Sequence, residues 1–423
     1  MTNNLLKIEE PVNSKSKTHS LLTTKSIFAH VIFDLPFRSH FLLAPAFAVT
    51  CLTLWLAFLN GVFSFNTTGL TPVVWHLHEM IFGFSATIAV AFILTASQTW
   101  TGVRSLHGKA LALLILVWLI VRIALLINTE YSVYTALVLQ AIWWIAVIYI
   151  YTKQVISAQN KRNYLFIAML FLMALMNTLV LVTDISGSTD IALHLSRSMI
   201  LVFVLLMSLI GGRVIPFFTV RGANTEAITT PNWLNFSLII VSLFSIVVFI
   251  LSGFFDLSVM PAIFIITASI LHFIRLLHWR PLKTLSVPLL WSLHISYLFI
   301  ALGLLMLGLS YYNIGISFSD ALHLLTIGAM SLMILAMMSR VSLGHTNRAL
   351  KVKNIIAFSF LIMLVAALTR GFMPYFPTEL FQAVHVNPTL FAWSLSAALW
   401  VIAMLIFLKV YWPILTTEKQ QQS

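Results

Sequence analysis

The stretch Trp75–Met80, WHLHEM, sets His76, His78 and Glu79 immediately before the apolar run IFGFSATIAVAFIL. Two other apolar stretches open in a similar way: DIALHLSRSMI carries His194 and Arg197, and SDALHLLTIGAM carries His323. Neutral imidazole is the commonest protein ligand for metals, and membrane haem is usually held by such rings. Titratable groups are costly in hydrocarbon and tend to be functional there. Histidines at these entrances therefore point to ligation of a metal or a haem.

The elements that must position them are membrane helices. The chain has 423 residues, of which 60% are hydrophobic and 9% charged, with mean hydropathy +0.99. Soluble domains carry roughly 25% charged residues, and a spanning helix needs about 20 apolar ones. Twelve stretches meet that need: 41–60, 75–98, 109–127, 133–152, 164–183, 192–212, 233–253, 259–276, 287–309, 319–339, 354–372 and 388–411. The fold class is an all-α polytopic membrane protein. Its expected parts are a cytoplasmic N-terminal tail (1–36), a twelve-helix transmembrane domain (37–413) and a cytoplasmic C-terminal tail (414–423). The N-terminal stretch lacks the apolar core of a signal peptide. Cys51 is the only cysteine, which excludes an intramolecular disulfide and a cysteine metal cage.

Cytoplasmic loops retain Lys and Arg. With both termini inside, every one of the 24 cations falls on the inner side except Arg122, Arg197 and Arg370. The net charge of +12 thus reports topology rather than nucleic-acid binding. The lipid bilayer is the expected partner, in a bacterial inner membrane.

The histidine-bearing helices two, six and ten each begin outside, and their spacing by four suggests a threefold repeat of four-helix units. At 1.5 Å per residue, His78, His194 and His323 lie roughly 4–8 Å inside the outer boundary, so they are expected to converge on one centre. His76 and His78 differ by about 200° around the helix and cannot face the same centre unless the helix is unwound there. By elimination His78 and His323 are the expected axial haem ligands, with His194 nearer a second metal or the haem edge. Glu79 either orients His76 or caps the helix start. Arg197 either pairs with a haem propionate or with Asp190 or Glu79. His294 sits deep in the inner half, for a second metal site, a proton path or a bond to a neighbouring helix. His107, His272, His278 and His345 fall at inner helix ends and read as loop or headgroup contacts. Met330, Met333 and Met337 follow His323 along helix ten; thioethers suit Cu(I) but are also ordinary packing.

The segments WHLHEMIFGFSATIAVAFILTASQTWTG, GGRVIPFFTVRG and ILAMMSRVSLGHTNRAL resemble the signature segments of the NnrS family. That family comprises bacterial twelve-helix inner-membrane proteins linked to the nitric oxide response and to haem and copper binding. The resemblance, from about Phe37 to Trp412, implies His76, His78, Glu79, Arg213, Pro216, Arg340, Gly344 and His345 as characteristic positions. It implies haem of b type, with copper as a second metal and nitric oxide or another small uncharged ligand, but no defined reaction. By analogy, histidines on helices two, six and ten resemble haem–copper oxidase subunit I. Helix seven carries no histidine, which disfavours that oxidase's copper centre and its oxygen chemistry. A transporter using the histidines as a translocation site, and a purely structural bundle, are the alternatives.

Overall fold

The computed structural model describes residues 27–376 and 387–421. Among the described residues there is no strand, and twelve helices are long and apolar enough to cross a membrane. In chain order these are α1 (Pro36–Leu59), α2 (Pro72–Thr101), α3 (Gly108–Ile127), α4 (Glu130–Ser157), α5 (Lys161–Ile185) and α6 (Thr189–Gly222). There follow α7 (Asn232–Ser252), α8 (Pro261–His278), α9 (Pro288–Tyr312), α10 (Phe318–Gly344), α11 (Asn354–Tyr375) and α12 (Pro388–Leu415). Most of the expected N-terminal tail lies outside the described residues, as does Glu379. The last helix runs slightly past the expected boundary at 413.

Helix starts follow local chemistry. Proline occupies the first turn of α1, α2, α8, α9 and α12, where its missing N–H costs nothing. Thr129 and Ser132 form a reciprocal capping box on α4, and Asn387 accepts from the Thr389 and Leu390 amides at the start of α12.

Because lipid is as apolar as leucine, hydrophobicity alone does not say which helices lie inside the bundle. The packing does. Buried residues make up 78% of the most apolar window of α2, 67% of α6, 67% of α9 and 72% of α10, against 33% of α7. These four helices form the centre. Helix α6 touches both α2 and α10, and α1 packs against α12.

Two helices depart from regular geometry where the histidines sit. In α2 the backbone is π-helical over Glu79–Ala86, and in α10 over Leu324–Ser331. Each segment starts at the residue after a candidate ligand, His78 or His323. The hydroxyls of Ser85, Thr87 and Ser331 donate to carbonyls five residues back, at 2.8, 3.2 and 2.8 Å. This is the π register, a rare geometry found disproportionately at functional sites. Beyond each histidine, angles reckoned at 3.6 residues per turn no longer hold.

Candidate functional site

A cavity of about 370 Å³ opens between α1, α2, α6, α10, α11 and α12 at the end of the bundle where α2 and α10 begin. Its walls are largely apolar and include Trp55, Phe84, Trp393 and Trp400. Four basic side chains on four helices reach it, His76, Arg197, His323 and Arg370, beside several serine and threonine hydroxyls.

The two imidazoles have different anchors. His323 Nδ1 lies 2.7 Å from the Ser319 carbonyl one turn back. A carbonyl only accepts, so Nδ1 carries the proton, and neutral His323 keeps its lone pair on Nε2. A backbone bond of this kind fixes tautomer and ring orientation in metal-binding histidines. His76 stacks on Trp55, with centroids 4.4 Å apart and planes 10° from parallel. Its Nδ1 is buried with no hydrogen-bond partner among the described residues, and so is the indole N–H of Trp393.

The two cations also differ. Arg370 is ion-paired with Asp320, donates to Ser319 Oγ at 3.0 Å and lies over the Trp393 ring. Asp320 cancels its charge. Arg197 makes no ion pair among the described residues; its guanidinium stands 5.5 Å from the Phe318 ring. Neither Asp190 nor Glu79 receives it. The cavity therefore carries an excess positive charge in a largely apolar setting.

Behind α2 lies a separate network in which nothing is exposed. His78 Nδ1 donates to Glu79 Oε1 at 2.9 Å, and Asn177 Nδ2 of α5 donates to His78 Nε2 at 2.9 Å. Arg122 of α3 donates to Glu79 Oε2 at 2.7 Å and to Gln140 Oε1 of α4 at 2.6 Å. His78, Glu79, Arg122, Gln140 and Asn177 are all 3% exposed or less. Gly83 makes room for this arrangement: a Cβ there would stand 2.6 Å from Arg122 Nη1 and 2.7 Å from Glu79 Oε2. Both ring nitrogens of His78 are occupied, and Glu79 serves His78 and Arg122 rather than His76.

The five candidate histidines therefore do not share one centre. His76 and His323 do share a cavity. His194 donates Nε2–H to the Ile250 carbonyl at 3.1 Å and stacks on Phe249, tying α6 to the end of α7. His294 donates Nδ1–H to Leu290 O at 2.9 Å, with Nε2 near Thr219 and Trp279 in the other half of the bundle. Depth alone misled the expectation for His194, because equal depth does not fix which way a side chain points. His272 is fully buried rather than a headgroup contact; its Nδ1 lies 2.7 Å from the Tyr297 hydroxyl. Among the described residues no three His, Cys, Asp or Glu side chains form a ready-made cation site.

Arg122, Arg197 and Arg370, the three cations outside the inner-side pattern, all lie at or beside this site. That exception was the legible signal for Arg122 and Arg370. Trp55, Trp393, Gln140 and Asn177 left no comparable mark.

The chain matches the family described as NnrS protein over residues 31–419. No curated protein matches it.

Proposed function

The chain belongs to the NnrS family of membrane proteins related to the nitric oxide response, and from that premise we propose that it binds a b-type haem in the cavity shared by His76 and His323. The observation that carries this reading is that two imidazoles from α2 and α10, His323 with its Nδ1 fixed by the Ser319 carbonyl and His76 stacked on Trp55, line one cavity with Arg197, a cation without an ion pair among the described residues. His323, fixed by Ser319, would hold the haem iron as the anchored ligand. His76, held by stacking on Trp55, would be the second and less firmly anchored ligand. Arg197 suits a propionate, because a planar guanidinium pairs well with carboxylates. Arg370 is already neutralised by Asp320 and serves to hold the first turn of α10 in place. Attachment is non-covalent, since the lone Cys51 is buried in a separate core cluster. Bound haem supplies an iron able to coordinate a diatomic gas.

The residues also provide an apolar approach. A smaller neighbouring cavity of about 70 Å³ shares the wall residues Ser85 and Met330 with the histidine cavity and is also lined by Met207, Met333, Met337 and Met338. Its nearly all-apolar wall favours an uncharged gas over an ion. The histidines offer copper no ready-made cage, and these sulfurs are the donors best suited to Cu(I). We place the protein in a bacterial inner membrane, both termini cytoplasmic, with the histidine cavity toward the outer face.

The test is an absorption spectrum of the full chain purified from haem-replete cells, before and after anaerobic addition of nitric oxide. A Soret band that shifts with the gas is expected. Absence of any Soret band, with metal uptake by reconstituted vesicles, would instead favour the transporter.

A further inference from the structure

At the opposite end of the bundle a second cavity, of about 550 Å³, opens between α5, α6, α7 and α8. Four arginines line it: Arg162, Arg213, Arg221 and Arg275. No carboxylate lines it, and none of the four makes an ion pair among the described residues. We propose that this cavity binds a phosphate oxyanion, either free or as the headgroup of an anionic lipid.

Arginines at this end are expected from topology alone, but such residues need only reach water. Arg275 does not behave that way. It is 7% exposed, donates Nη1 to Ser208 O and Oγ at 3.1 Å, and has a buried Nε with no hydrogen-bond partner among the described residues. Its position is built into the neighbouring helix: a Cβ at Gly212 would collide with the Arg275 guanidinium. Arg213 is likewise held in place. It donates to Asn163 Oδ1 at 2.8 Å and to the Arg162 carbonyl at 3.2 Å. Arg221 lies over the Phe217 ring at 4.4 Å on the exposed rim.

Four like charges facing one space repel one another, and an anion between them relieves that repulsion. Guanidinium forks match phosphate oxygens in pairs, which a single ammonium cannot do. The segment GGRVIPFFTVRG thus acquires a physical reading: Gly212 admits Arg275, while Arg213 and Arg221 face the anion from α6. This inference is independent of the haem reading.

The experiment uses the full chain in a neutral detergent. Thermal unfolding is followed against inorganic phosphate at constant ionic strength, and native mass spectrometry follows retention of phosphatidylglycerol against phosphatidylcholine. Saturable stabilisation by phosphate identifies a free oxyanion, and selective retention of phosphatidylglycerol alone identifies a headgroup. Either supports the proposal. Arg213→Gln with Arg221→Gln should weaken the positive arm about tenfold, the loss expected for charged hydrogen bonds. If that double variant fails to fold, Arg221→Gln alone decides, since Arg221 is exposed; it should weaken binding, whereas Arg221→Lys should retain part of it. Wild-type protein that responds to neither ligand, or folded variants that bind as tightly as wild type, would overturn the proposal.

Discussion

His76 and His78 stand two residues apart on α2 and serve different environments: His76 stacks on Trp55 in the open cavity, and His78 is locked between Glu79 and Asn177 behind it. A helix separates such neighbours by about 200°. Their roles should therefore separate cleanly under mutation.

His78→Ala and Glu79→Gln should act on folding. Each leaves buried polar partners unsatisfied, and breaking a buried ion pair costs about 3–5 kcal/mol. Thermal unfolding in detergent should show a markedly lower midpoint for Glu79→Gln. Replacing both partners, as Glu79→Leu with Arg122→Met, should recover much of that loss. A double variant no more stable than the single one would show that the pair is not the coupled unit.

Gly83→Ala should be destabilising although it changes only one methyl. The added carbon meets Arg122 and Glu79, neither of which is free to move, and such overpacking costs about 1–3 kcal/mol. An unchanged unfolding midpoint would contradict the tight packing described for α2 against α3.

Arg197→Gln should leave the fold intact, because among the described residues Arg197 makes no ion pair and only a cation–π contact with Phe318, while lowering haem affinity about tenfold, in line with a lost charged hydrogen bond. Haem-transfer kinetics to an acceptor protein would measure this. Equal haem retention in Arg197→Gln and wild type would remove Arg197 from the proposed propionate contact.

Orientation is tested by reporter fusions at both ends and in the 60–74 and 340–353 loops. Cytoplasmic signals are expected for the termini and for 340–353, and an outer signal for 60–74. A terminus reporting outside would reverse the assignment of the histidine cavity to the outer face.

The twelve helices were legible because each needs its own long apolar run, and short polar connections separate them. The division of labour among the histidines was not. His78 and His194 have the expected type and depth, but their partners, Asn177 and the Ile250 carbonyl, come from helices that no local pattern links to them. The π-helical turns after His78 and His323 further shift every downstream side chain. His272 shows the same limit at the other end, since its burial depends on α9 supplying Tyr297.

The most direct measurement compares the haem absorption spectra of His76→Ala, His323→Ala and the double variant with wild type, using His194→Ala and His294→Ala as controls. Each cavity variant should alter the Soret band, and the double variant should lose haem, because a methyl group cannot replace an imidazole ligand. The controls should retain a wild-type spectrum. A folded double variant with full, spectrally unchanged haem, or loss of that haem in His294→Ala alone, would place the cofactor elsewhere and contradict the assignment to the cavity of His76 and His323.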